Sequence, residues 1–357
     1  MQDMKVLRDL RRIYSWLEDE ESKDIYLNRL NFLITGEYRY IRNIVSRYVP
    51  DLAILNDTEI PNLLSQIPQD RPFILYGVGE GARATFHYFE NDGRLKGFCD
   101  SDVRKQKNEF RGYQVMAPEE LFRDRESSII ITTPRYFPEI KQFLMRNGIE
   151  EKRIFSIGPY IFVAQEEQYF NPDFMTFEEE EIFVDAGCCD LSSSIRLKGH
   201  CKTLKRVYAF EPDPHNYHIC EKAAGLHFED QVVKIIGKGT WSGNKTISFD
   251  ASSDGQSHIS ESGGTSIEVV AIDDAIAPDE KVTFIKMDVE GAELESLKGA
   301  RHTIQRCKPK LAICIYHKAE DMYEIPFYIK ELVPEYKLYV RHHSNGASET
   351  VLYAMPR

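Results

Sequence analysis

Residues 281–299, KVTFIKMDVEGAELESLKG, constrain this chain more than any other stretch, because an apolar β-run passes directly into carboxylates. Val282, Phe284 and Ile285 predict a buried strand. Asp288, Glu290 and Glu293 follow where that strand ends and a helix begins, the edge at which open α/β sheets hold ligands. Glu290 and Glu293 are also what the positive end of a helix attracts. Asp288 lies on the strand side of the turn, with Gly291 allowing a tight backbone, and helix electrostatics does not explain it.

The surrounding sequence repeats the strand-to-helix alternation. Apolar strands are predicted over 182–185, 207–210 and 232–236, with helices over 192–201 and 215–224 between them, and such βαβ steps build a parallel sheet. Extended pieces over 246–249 and 267–272 flank a Gly/Ser-rich loop over 252–264. After the 281–299 unit come a strand over 311–316, a helix over 325–332 and a terminal hairpin pairing 338–341 with 351–355.

The first half has a different grain. From Leu7 to Val45 apolar residues recur at helical spacing, which predicts a helical appendage over residues 1–55 whose stripes pack on the next domain or on a second copy of the chain. A Pro-containing loop is expected around Pro61. A Rossmann-like α/β domain follows over 56–160: strands over 73–76, 95–99, 129–132 and 154–157, and a helix over 138–147. Its first strand runs into Gly77, Gly79 and Gly81, and its second ends in Asp100, about where a ribose-binding acid falls. The same glycines are what close packing of a helix on a strand requires, and both readings stand. Residues 161–180 are aromatic and acidic without periodicity and form a linker ending in the acidic run EEEE, expected to be solvated. The domain from 181 to 357 completes the chain.

Composition narrows the function. Net charge is −12 and the isoelectric point about 5.4, which argues against nucleic acid as a partner. No run of about 18 apolar residues is present to span a bilayer, and the start MQDMKVLRDLRRIY lacks the apolar core of a signal peptide, so a cytoplasmic location is expected. The seven cysteines lack CxxC spacing and suit reduced, packed thiols.

Two strand ends in the second half carry further chemistry: VDAGCCD after the first strand and AFEPD after the second. Gly187 permits close backbone approach, and Glu211 offers a carboxylate to both hydroxyls of a ribose. The pair suits NAD or S-adenosyl-L-methionine. The missing further glycines disfavour a pyrophosphate.

With AFEPDPHNY, IKMDVEGAELESLKGA, IYHKAEDMYEIPFYIKEL and RHH, this set resembles the FkbM-type S-adenosylmethionine-dependent methyltransferases over about residues 181–355. The resemblance implies a class I fold, a Rossmann-like seven-stranded sheet with a terminal antiparallel hairpin, and S-adenosyl-L-methionine as cofactor. It places Asp185 and Gly187 at the methionine end, Glu211 at the ribose and Trp241 on the adenine side, with Asp190 and Asp288 also among the cofactor-binding residues. Related sequences often carry a glycine just after the acid of the first loop; this chain has Leu191.

The expected activity is O-methylation of a hydroxyl on a glycan, sugar-containing or natural-product acceptor, as in polysaccharide biosynthesis. Methyl transfer to an alcohol needs in-line placement and removal of the hydroxyl proton. His317, at the end of its strand, is the candidate base, and parallel topology places it beside Asp288. Glu290, Lys318, His342 and His343 are candidates for binding the acceptor. The expected mechanism uses no metal; an alternative has Asp288, Glu290 and His317 hold a hard divalent ion. Two other readings remain: an NAD(P)-dependent oxidoreductase working through the amino-terminal glycines, and a non-catalytic assembly protein that keeps the fold. A homodimer through the amino-terminal region is also expected.

Overall fold

The computed structural model describes residues 2–170, 173–250, 258–259 and 265–357. The chain divides into two compact units. One contains Met1–Ile34, Gln165–His343 and Ser348–Arg357; the other contains Thr35–Ala164 and Ser344–Ala347. This corrects the expected appendage over 1–55, because the first two helices, α1 (Gln2–Trp16) and α2 (Glu20–Thr35), pack with the carboxyl-terminal half of the chain. Among the described residues, no helix is long and apolar enough to cross a membrane.

The second unit begins with α3 (Arg39–Tyr48) and α4 (Pro50–Ser65). Pro61 lies inside α4, not in a loop. An internal proline costs a helix about 3 kcal/mol, and the burial of Ile60, Leu63 and Leu64 in the unit's apolar core offsets it. Six strands follow: β1 (Phe73–Tyr76), β2 (Leu95–Cys99), β3 (Glu109–Phe110), β4 (Tyr113–Met116), β5 (Ser128–Ile131) and β6 (Ile154–Ser156). They form one sheet in the order β3-β4-β2-β1-β5-β6, parallel except for the β3–β4 pair. Helices α5 (Glu80–Thr85), α6 (Pro118–Leu121) and α7 (Phe137–Arg146) join them. A Cβ on Gly81 would lie 1.9 Å from the Thr132 carbonyl oxygen, so this glycine serves the close approach of α5 to the sheet. Asp100 turns back on the same loop, accepting hydrogen bonds from the amides of Val78 and Asp102, each at 2.9 Å.

The first unit is built on a seven-stranded sheet: β7 (Glu180–Ala186), β8 (Thr203–Phe210), β9 (Val233–Ile236), β14 (Phe284–Met287), β15 (Lys310–Cys314), β16 (Lys337–His342) and β17 (Thr350–Met355), in the order β16-β17-β15-β14-β7-β8-β9. The five strands from β15 to β9 are parallel, and β17 is antiparallel to both β15 and β16. Every residue of β14 and β15 is buried, as expected of parallel strands covered on both faces. A smaller sheet, in the order β10-β13-β11-β12, joins β10 (Gly239–Thr240), β11 (Lys245–Asp250), β12 (His258–Ile259) and β13 (Thr265–Val270). Most of the predicted Gly/Ser-rich loop between β11 and β13 lies outside the described residues. The helices are α8 (Ser192–His200), α9 (Pro214–His227), α10 (Ile272–Ala275), α11 (Glu293–Gly299), α12 (Arg301–Cys307) and α13 (Asp321–Leu332).

The apolar stripes of α1 and α2 are satisfied within this unit. Trp16 meets Phe327 of α13 with ring centroids 5.1 Å apart, and the Tyr26 hydroxyl donates to the Met322 carbonyl at 3.0 Å. Strand β16 is an edge, and the amino-terminal segment covers it. The Glu18 amide donates to Leu338 O at 3.0 Å, and the Val340 amide to Ser22 Oγ at 2.9 Å. Arg341 closes the contact on Asp19 at 2.7 Å.

Glu181 corrects the expectation that the whole acidic run is solvated. It is fully buried on β7, 2.8 Å from Lys310 of β15, and also accepts from the Thr283 hydroxyl. The stretch read as a linker contributes Tyr169, Phe170 and Met175 to the core of this unit.

Candidate active site

The strand order turns between β14 and β7, and the loops after these two strands meet there. Gly187 has φ +77, and a Cβ on it would lie 1.9 Å from the Asp288 carbonyl oxygen, so the two strand ends touch only because this residue lacks a side chain. Asp185 supports the loop from inside. It is fully buried, accepts from Ser194 Oγ at 2.7 Å and lies 3.2 Å from Lys286 Nζ, which donates to Gly187 O at 2.6 Å. Burial disfavours the Lys286 charge, but Asp185 and Asp288 outweigh it and hold its pKa above the usual value. The residue expected at the methionine end therefore anchors the loop and is enclosed by protein.

Glu211 follows β8 and is 6% exposed. Its Oε2 accepts from the Cys189 amide at 3.0 Å and its Oε1 from the Asp213 amide at 2.9 Å. Burial raises its pKa against the opposing effect of these amides. Asp190, exposed, accepts from the Ser192 amide at 3.0 Å. Leu191 beside it has φ +70 with its side chain fully buried, so the loop keeps a left-handed turn without a glycine. Trp241 is half-buried, with Lys245 Nζ 4.6 Å from the centre of its ring.

Asp288 and His317 come together as predicted, in a cluster of acids. The Tyr169 hydroxyl donates to Asp288 Oδ2 at 2.8 Å and the Tyr316 hydroxyl to Oδ1 at 3.3 Å. His317 Nε2 lies 3.5 Å from Asp288 Oδ1 and 3.6 Å from Glu290 Oε2, while its Nδ1 lies 2.9 Å from Glu293 Oε1. Burial lowers the histidine pKa, but Glu293, Asp288 and Glu290 together overcome this and hold it at about 9. These carboxylates favour the charged form of the ring, whereas a base or a metal ligand uses the neutral one. Burial would raise the Asp288 pKa, yet Lys286 and His317 bring it below the ordinary value. Glu349, half-buried near Asp288, is pushed up to about 7 by loss of solvent and then by that carboxylate.

One ligand atom each from Asp288, Glu293 and His317 lies within 4.8 Å of the other two. The sequence pointed to Glu290 for that third place, but its side chain is 63% exposed on a left-handed turn with φ +54, whereas Glu293 is fully buried. Lys318 donates its amide to Asp321 Oδ2 at 3.0 Å and its ammonium to Gly291 O. It borders a cavity of about 310 Å³ with Gly291, Leu294, Lys298, Asp321 and Glu324.

His342 and His343 are enclosed, at 2% and 6% exposure, which corrects the expectation that they face the acceptor. His342 Nδ1 is 2.9 Å from Thr350 Oγ1, and His343 lies between Gln165 Oε1 at 3.0 Å and the Tyr353 hydroxyl at 2.7 Å.

Residues 186–342 match the family model described as the methyltransferase FkbM domain. The chain thus carries a match to the FkbM methyltransferase domain over somewhat less than half its length. Hexuronic acid methyltransferase AglP of Haloferax volcanii is 32% identical over 137 residues, 36% of this chain and 53% of the relative. The match thus spans about half the length of that relative. Among solved structures, methyltransferase FkbM from Methylobacillus flagellatus KT aligns with a TM-score of 0.50 at 20% identity, covering 86% of this chain and 98% of that one, which supports a common fold.

Within the FkbM domain and its flanks, sequence reasoning missed Tyr169, Tyr316 and Glu349 at the site. Tyr316 stands next to His317 and was within reach of the same strand-end argument. Tyr169 and Glu349 arrive from a segment without periodicity and from a hairpin, and no local pattern marks them.

Proposed function

We propose that the FkbM domain transfers a methyl group from S-adenosyl-L-methionine to a hydroxyl of a glycan, sugar-containing or natural-product acceptor. The observation that carries this reading is Glu211, a buried carboxylate at the carboxyl end of the second parallel strand, held in place by two backbone amides. A carboxylate offers about four lone-pair sites. Two are taken by amides and the Asn216 side chain approaches as well, which leaves acceptor capacity for ribose hydroxyls, so the donor set fits the cofactor. When bound, S-adenosyl-L-methionine supplies an electrophilic methyl group on a sulfonium. Glu211 would bind the ribose, Gly187 would line the methionine end with Asp190 nearby, and Trp241 would hold the adenine side. Asp288, fixed by Tyr169 and Tyr316, orients the acceptor oxygen, and His317 in its neutral form, with Nδ1 toward Glu293, receives the hydroxyl proton at Nε2.

The relative named for hexuronic acid supports a glycan acceptor bearing both hydroxyl and carboxyl oxygens. The test is transfer of isotopically labelled methyl from S-adenosyl-L-methionine to hexuronate-containing and neutral glycans. Label in an alkali-stable ether supports the hydroxyl assignment. Label released by mild alkali places the methyl on a carboxylate and overturns it. Glu211→Ala is expected to weaken S-adenosylhomocysteine binding by about 1.5–3 kcal/mol per lost charge-assisted hydrogen bond. His317→Ala is expected to lower the rate by about 10²–10⁴ with cofactor affinity intact. Unchanged affinity on calorimetry removes Glu211 from the ribose site.

A further inference from the structure

We propose that Asp288, Glu293 and His317 form a binding site for one divalent metal ion of the Mn²⁺ or Zn²⁺ class. The three side chains come from two strand ends and one helix start, and a ligand atom from each lies within 4.8 Å of the other two. Metal–ligand bonds of about 2.1 Å set neighbouring donors about 3.0–4.2 Å apart, so small side-chain adjustments complete the geometry. Two carboxylates with one imidazole suit borderline divalent ions.

A second observation points the same way. Glu293 is fully buried, and its Oε2 has no hydrogen-bond partner among the described residues. Its Oε1 accepts from the Val289 amide at 2.9 Å, which fixes the carboxylate facing His317. His317 Nδ1 stands 2.9 Å from that oxygen as an ion pair, without hydrogen-bond geometry to a partner among the described residues. A buried carboxylate oxygen without a donor is costly, and a coordinated cation removes the cost.

The nearby ammonium groups are committed elsewhere. Lys286 lies against Asp185 and donates to Gly187 O, and Lys318 donates to Gly291 O. Asp288 is oriented by two tyrosine hydroxyls and Glu293 by a backbone amide, the outer contacts that pre-set metal ligands. Three protein ligands leave coordination positions for the oxygens of an acceptor.

Metal binding stands without the methyl-transfer reading, and an ion held here takes over from His317 the task of acidifying the acceptor hydroxyl. The full chain, stripped with a chelator and free of methyl donor, is titrated with Mn²⁺ while the free ion is followed by electron paramagnetic resonance. One ion per chain is expected to bind, and Asp288→Asn and Glu293→Gln are each expected to weaken it by about tenfold or more. Gln at 293 keeps the oxygen that accepts from Val289, and circular dichroism checks both folds. If Glu293→Gln does not fold, Asp288→Asn decides. No binding up to about 1 mM, an affinity unchanged in the variants, or an equal loss in Glu229→Gln at an exposed distant acid overturns the site. Failure of methyl transfer with Mn²⁺ binding intact overturns the proposed function and leaves the metal site standing.

Discussion

Leu191 occupies a left-handed backbone position, φ +70, while its side chain is fully buried beside Cys188, Leu197 and Cys220. The backbone costs a residue with a Cβ about 1–2 kcal/mol, and truncating a buried leucine costs about 2–5 kcal/mol. Burial is the larger effect, so Leu191→Gly is expected to destabilise the protein by about 1–3 kcal/mol in denaturant unfolding. A glycine variant more stable than the parent would show that strain dominates. His343 gives a pH dependence. Burial, then Arg341, depresses its pKa to about 3, so the native state holds it neutral. The stability this confers is fully present above the unfolded value near 6.5 and is lost as pH falls toward 3. Between pH 7 and 5 the loss is on the order of 2 kcal/mol, and His343→Gln is expected to flatten that part of the stability-against-pH curve.

Among the elements, the pair Glu181–Lys310 ties β7 to β15 across the Thr283 hydroxyl. Removing one partner of a buried pair costs about 3–5 kcal/mol, while replacing both with apolar groups is often neutral. Lys310→Met is therefore expected to destabilise by about that amount in thermal or urea unfolding, and Glu181→Leu with Lys310→Met to recover most of it. This pair also shows where the sequence is silent. Within EEEE, nothing separates the buried acid from its solvated neighbours, because the lysine that selects it lies over a hundred residues away. Strands β1 and β2 were legible to the residue as apolar runs closed by glycine or acid, whereas β3, two residues long, leaves no periodicity to read. At the site, Asp288 and His317 could be paired in advance because parallel strands end on one edge. Glu293 was hidden, since an acid in a first helical turn already has an electrostatic explanation.

Across the whole molecule, the sequence suggested an appendage followed by two domains, and tertiary packing redistributes the pieces. Helical periodicity reports that α1 and α2 have an apolar face; it does not report which distant segment receives it. That receiver is α13 and β16, through Trp16, Tyr26, Ser22 and Asp19. Deleting residues 1–34 is expected to lower the melting temperature and to promote self-association through the uncovered β16 edge. Differential scanning calorimetry and size-exclusion chromatography measure both, and an unchanged melt with a monomeric profile would count against the packing.

The same contact sets an order in time. Tyr26 and Met322 are 296 residues apart, so at about 5–20 residues per second the first helices leave the ribosome roughly 15–60 s before their receiver exists. Ile13, Ile25 and Tyr26, all buried in the finished protein, spend that interval exposed on the nascent chain. These helices are made well before the segment that receives them, and in a growing cell they wait uncovered, within reach of chaperones and proteases.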